Sequence, residues 1–209
     1  MFNNFSANWK RHFKSPFRYV NFSVTLILLA IVMMFFTQFL LFAELRSGFV
    51  FTDPLLKMFA PIDVTYYTFA MIYAMVFSAI FVLISKPDEL IVLLRAYILL
   101  LIFRSVTMYF LPLNPPMTSI IMPDPLLEIF ASEQTLTKDL FFSGHTATAF
   151  LIYLSVQNKI LRSLFLIFTI LIACFVLLQH VHYTIDVIAA PVFAYAAYRL
   201  SLLIDEKLY

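Results

Sequence analysis

Six apolar runs govern what this chain can become. They cover roughly residues 20–43, 64–85, 89–112, 140–157, 160–179 and 183–204. A membrane-crossing helix needs about 20 mostly apolar residues, and each run is close to that length. Of the 209 residues, 63% are hydrophobic and only 12% are charged, whereas about a quarter of a soluble domain is charged. The expected fold is an all-α integral membrane protein with six transmembrane helices in one bundle. Residues 20–209 would form that single domain. Residues 1–19 read as a basic, amphipathic interfacial segment, with Trp9, Phe13 and Phe17 making an apolar stripe. They do not read as a signal peptide, because the following run is too long and lacks a small-residue cleavage site.

Composition excludes several classes. A net charge of +2 carries no nucleic-acid signature. The single cysteine, Cys174, lies in an apolar run and reads as a small hydrophobe. No internal repeat is visible, which argues against an inverted-repeat transporter. Only two glycines occur, so the bundle is expected to be held by large side chains, mainly Phe and Leu.

Basic residues report topology through the positive-inside rule. With a cytoplasmic N-terminus, Lys10, Arg11, Lys14, Arg18, Lys86, Arg95, Lys159, Arg162, Arg199 and Lys207 fall on the cytoplasmic side. Arg46, Lys57, Arg104 and Lys138 fall on the other. Both termini are then cytoplasmic. The long segments 44–63 and 113–139 face the periplasmic or exoplasmic side, with His145 and His182 beside them. In a bacterium the membrane would be the inner one. Arg95 reads as snorkelling to the cytoplasmic surface.

The chemistry-bearing residues gather on that side. His182 and Asp186, four apart, share one helix face. An aspartate holding one imidazole nitrogen leaves the other free as a nucleophile toward phosphorus. The competing reading is a structural pair, with Asp186 satisfying first-turn amides. Ser143-Gly144-His145 combines close backbone approach, amides at a helix start suited to phosphate, and a proton donor for a leaving alcohol. It also reads as an ordinary Ser/Gly cap. Arg104, at membrane depth, needs an anion. That anion is a lipid phosphate, or else Asp139, Asp186 or Glu44. Tyr109 lies on the same run. His180 is six residues from Asp186 and reads as supporting or interfacial. Zinc binding by two histidines and an aspartate, or haem ligation, fits less well than metal-free phosphoryl transfer, so no cofactor is expected.

Three motifs in order resemble the type-2 phosphatidic acid phosphatase superfamily, most closely its sphingomyelin synthase branch. They are Arg104-Ser105-Val106-Thr107-Met108-Tyr109 with Pro112, Pro115 and Pro116 behind it, Asp139 to Thr146, and His182-Tyr183-Thr184-Ile185-Asp186-Val187. They cover residues 95–195, and that branch also has six spans. Two positions depart from the branch pattern, with Thr137 and Lys138 where cysteine and glycine are usual. The cationic motifs with which the phosphatases grip a monoester are not evident. The resemblance implies that His145, His182 and Asp186 are catalytic. It implies that Arg104, Tyr109, Asp139, Ser143, Gly144 and Tyr183 contact substrate or phosphate.

The implied activity moves a phospho-alcohol headgroup from a glycerophospholipid donor to a lipid alcohol such as ceramide through a phospho-histidine. Water as acceptor would make the same site a lipid phosphatase or phospholipase C. A non-enzymatic lipid transporter or scaffold is the third reading. The donor headgroup stays open. Asp124, Glu128, Glu133 and Asp139 offer carboxylates to an ethanolamine cation, but the first three read rather as solvated loop charges. The oligomeric state is open too, with a homo-oligomer among the options.

Overall fold

Two prolines decide where helices begin. Pro16 and Pro87 each occupy a first helical position, where a missing N–H costs nothing and a fixed φ is already helical. The computed structural model describes residues 5–124 and 136–208, so Glu128 and Glu133 lie outside the described residues. Among the described residues seven α-helices follow in order. They are α1 (Phe5–His12), α2 (Pro16–Leu45), α3 (Thr65–Leu83), α4 (Pro87–Phe110), α5 (Gly144–Ser155), α6 (Lys159–Leu178) and α7 (Thr184–Leu208). A 3₁₀ turn at Leu56–Met58 interrupts the first long loop. That loop pairs with the second through one parallel bridge, Phe49 to Leu113.

Five helices, α2, α3, α4, α6 and α7, are long and apolar enough to cross a membrane, which fits an integral membrane protein. The expected sixth run differs. α5 has 12 residues, a length of about 18 Å. Its start is set by Ser143, whose hydroxyl accepts from the Thr146 amide. Its end precedes Asn158, whose side chain caps the first amides of α6. Half of its residues are buried within the protein. The N-terminal segment is also not one stripe. Pro16 starts a new helix, so Phe17 belongs to α2 while Trp9 belongs to α1.

Small residues hold the seam of α4, α5 and α7. Ala96, Ala147, Ala190, Ala194 and Ala197 are each 0% exposed, packed with Leu100, Leu151 and Phe142. At this seam alanine, and not the expected large side chain, lets helix backbones approach closely, whereas the other clusters are packed mainly by large side chains. A second cluster of Met75, Ala79, Ile152, Phe165, Ile172 and Val176 joins α3, α5 and α6. Overpacking a filled core costs about 1–3 kcal/mol. Ala197→Leu is therefore expected to lower the unfolding temperature in detergent by several degrees, and an unchanged melt would contradict so tight a seam.

The two ends of the bundle differ in chemistry. At one end α1 is docked by Trp9 Nε1 and Asn8 Nδ2, which donate to the carbonyls of Ile84 and Ser85 at 2.7 and 2.8 Å. His12 Nδ1 lies 3.0 Å from Asp88. Arg95 does not snorkel. It is 8% exposed and pairs with Asp205 at 3.3 Å, because α7 brings a carboxylate to it. At the other end described residues of both long loops, Phe51, Asp53 and Asn114, bond to Tyr183 and Thr184 at the start of α7.

Candidate active site

Each of the two motifs opens a helix, and one bond joins them. The Ser143 amide donates to the Asp186 carbonyl at 3.1 Å, which ties the start of α5 to the first turn of α7. The His145 and His182 rings then lie 6.4 Å apart between centroids. Reacting atoms in a near-attack geometry are about 3–3.5 Å apart, so this spacing suits one group held between two imidazoles. Phe69 of α3 packs edge-on to His145 at 5.5 Å.

Asp186 has two duties. Its Oδ2 accepts from the Tyr183 amide at 3.1 Å, the reach-back of an N3 side chain in a capping box. The same oxygen is 3.5 Å from His182 Nδ1, an ion-pair distance. The capping bond of the structural reading is thus present, and the carboxylate stands beside His182 without a hydrogen bond to it. Asp186 is 0% and His182 2% exposed. His182 Nδ1, His145 Nδ1, Asp186 Oδ1 and Arg104 Nε are four of the six buried side-chain atoms without a hydrogen-bond partner among the described residues. Buried polar groups are normally satisfied, and such a concentration marks a place built for something polar.

Arg104 reaches this cluster from α4. Its guanidinium lies against Gly144, where an added Cβ would fall 1.6 Å from Nη1. It pairs with Asp139, so the salt-bridge alternative foreseen for it is realised. Arg104 is also flanked by the rings of Phe36 and Phe142. Thr107, one turn on, donates to the Phe141 carbonyl at 3.1 Å and holds the 139–144 segment to α4. Among the described residues no set of three or more His, Cys, Asp or Glu side chains is grouped to hold a metal.

Seven of the nine expected site residues thus converge: His145, His182, Asp186, Ser143, Gly144, Arg104 and Asp139. The other two are engaged elsewhere. Tyr109 is half exposed beneath the Arg46 guanidinium, 5.0 Å from its ring. Tyr183 is 1% exposed. Its hydroxyl accepts from the Phe51 amide at 3.2 Å and donates to the Asn114 carbonyl at 2.9 Å, so it clamps both loops.

Sequence reasoning missed the supports given by Glu44 and Gln179, whereas it gave His180 a supporting or interfacial role. Glu44, at the end of α2, accepts from the Thr137 and Lys138 amides at 2.9 Å each and holds the approach to Asp139. Gln179 binds Val64 and Thr65. His180 closes α6 with φ 56°. Its amide donates to Leu177 and the Val181 amide to Val176, a Schellman arrangement in which glycine is the usual residue. Its side chain explains the exception, since Nδ1 meets the Thr118 hydroxyl at 2.6 Å. Burial holds this imidazole below its ordinary pKa, against the upward pull of Asp53.

Asp53 was missed as well. Its carboxylate binds the Thr184 amide and hydroxyl at 2.7 and 3.1 Å. Burial raises its pKa, but bonds from Thr184, Leu55 and Leu56 outweigh that and leave it below the usual carboxylate value. Its contribution to stability is therefore full above the ordinary value and is lost as the pH falls through the lowered one.

Residues 138–202 match the family model described as PAP2 superfamily C-terminal. The match contains Asp139, Ser143, Gly144, His145, His182 and Asp186. It supports a place in the PAP2 superfamily and an enzyme of lipid phosphatase or phosphotransferase type. No curated protein and no solved structure matches the chain.

Proposed function

We propose that this protein is a lipid headgroup phosphotransferase of the sphingomyelin synthase type, acting through a phospho-histidine. The observation that carries the reading is the pair of facing imidazoles, 6.4 Å apart, each with a buried unpaired nitrogen beside Asp186 and Arg104. In the first step His182 attacks the phosphorus of a glycerophospholipid headgroup. The bond to the diacylglycerol oxygen breaks, and that oxygen takes a proton from His145. In the second step His145 removes the proton of an acceptor hydroxyl such as that of ceramide. The acceptor oxygen attacks the phospho-histidine and frees His182. Asp186 balances the positive charge on His182, and Arg104 offers N–H groups to the phosphoryl oxygens.

Charge count favours a diester over a monoester. Arg104 is the one cation assigned to the cluster, and Asp139 already offsets it. A phosphodiester carries one negative charge where a monoester carries up to two. The reading places the bundle as one catalytic unit of six spans, α5 included, with both termini cytoplasmic and the site exoplasmic. The basic residues support that orientation, with ten at the α1 end and four at the site end.

The test supplies purified protein in mixed micelles with fluorescent ceramide and one donor at a time: phosphatidylcholine, phosphatidylethanolamine or phosphatidylinositol. Products are separated by chromatography and identified by mass. A headgroup-bearing ceramide made by the wild type and not by His182→Ala is expected. Diacylglycerol with free phospho-alcohol and no modified ceramide would replace the transferase by a phospholipase C. Orthovanadate, which mimics pentavalent phosphorus, should raise the melting temperature of the wild type alone. Equal stabilisation of His182→Ala would point away from covalent catalysis.

A further inference from the structure

The start of α7 is held from outside the helix. The first amides of a helix have no acceptor within it. Here Tyr183 precedes the first residue, Thr184, and the Tyr183 hydroxyl is already engaged with Phe51 and Asn114. The Tyr183 amide is taken by Asp186. The Thr184 amide finds its acceptor 131 residues away, in the Asp53 carboxylate at 2.7 Å. Both oxygens of Asp53 are used, since Oδ1 accepts from the Thr184 hydroxyl at 3.1 Å and the Leu55 amide at 3.0 Å. A negative group also suits the positive end of a helix.

We infer that Asp53, in the loop between α2 and α3, is a positioning residue that sets His182 and Asp186 for reaction. The inference rests on the proposed role of His182. Thr184 stands midway between that histidine and that aspartate, so a cap on its amide fixes the backbone turn from which both side chains project. The same loop is fastened on either side of Asp53. The Phe51 amide binds the Tyr183 hydroxyl at 3.2 Å, the Ile62 amide the Leu178 carbonyl at 2.9 Å, and the Val64 amide the Gln179 side chain at 3.2 Å. The loop is thus a strap over the turn carrying His182, with Asp53 as its contact to the helix end. Without Asp53, one more first-turn amide is freed beside the carboxylate that His182 needs.

The test compares Asp53→Ala, Asp53→Asn and Thr184→Val with the wild type in the ceramide assay. A displacement of about 1 Å can cost about 10²-fold in rate. Asp53→Ala is expected to lower kcat by about 10- to 100-fold with KM within about twofold. Asparagine keeps an oxygen for the Thr184 amide and should recover most of the loss. Thr184→Val keeps the amide and should lose little. Ala197→Leu, remote from the site, serves as a variant matched for stability. A kcat for Asp53→Ala within twofold of wild type overturns the inference, as does a loss no greater than that of Ala197→Leu at equal loss of melting temperature. A second readout needs no turnover. The ¹⁵N ring signals of His182, identified by their absence in His182→Ala, should shift in Asp53→Ala and not in Ala197→Leu. Unchanged signals reject Asp53 as a positioning residue. Turnover that persists in His182→Ala rejects the proposed function instead.

Discussion

Alanine at His182 is expected to lower turnover by at least about 10⁴-fold, the range seen when a nucleophile acting with its base is removed. Little stability should be lost with it. His182 is 2% exposed, yet its Nδ1 makes no hydrogen bond and stands 3.5 Å from Asp186. Truncation at an unbonded nitrogen strands no hydrogen-bond partner, so the cavity left by the ring is the main cost to folding. The melting temperature of His182→Ala should therefore stay within a few degrees of wild type while activity vanishes. His145→Ala should cost less, about 10²–10⁴-fold, the usual worth of a general acid–base. Trapping with a donor labelled in phosphorus should give a base-stable, acid-labile phosphoenzyme in the wild type and none in His182→Ala. Activity within tenfold of wild type in that variant would rule His182 out as the nucleophile.

The parts of this molecule that were legible in its sequence are those written in contiguous residues. Long apolar runs announced α2, α3, α4, α6 and α7, and Ser143-Gly144-His145 and His182 to Asp186 announced two helix starts that converge. What stayed hidden depends on partners far along the chain. Arg95 reads as a snorkelling cation until α7 brings Asp205 to it. Asp53 carries no signal in the sequence until the fold sets it on Thr184. Alanine is apolar in any helix, so nothing local marks Ala96, Ala190, Ala194 and Ala197 as one seam. The run at 140–157 is mostly apolar, and its shortening to 12 helical residues comes from the Ser143 cap and from residues 139–143 being drawn to α4 by Arg104 and Thr107. Tyr183 shows the same limit, because its hydroxyl is claimed by two loops that its neighbours in sequence do not reveal.

Gly144→Ala tests whether the backbone of the Ser-Gly-His segment is shaped around Arg104. A Cβ there would fall 1.6 Å from Nη1, 2.5 Å from Cζ and 3.0 Å from Nη2. Carbon and nitrogen need roughly 3.5 Å, so the guanidinium must retreat by about 2 Å. A flexible arginine on a surface would do so readily. Arg104 is 3% exposed, packed between Phe36 and Phe142 and paired with Asp139. Displacing Arg104 leaves a buried guanidinium short of its partner, which is destabilising, although Asp139, 34% exposed, is in part solvated by water. One methyl group is therefore expected to lower both stability and kcat, the latter by about 10²-fold, without touching either histidine. The cause can be isolated by a double-mutant cycle, since residues in contact are coupled. If the methyl acts only through the guanidinium, Gly144→Ala combined with Arg104→Ala should be no less active than Arg104→Ala alone. Additive losses would mean that Gly144 is needed for some other reason, such as direct approach of the substrate phosphate to its amide.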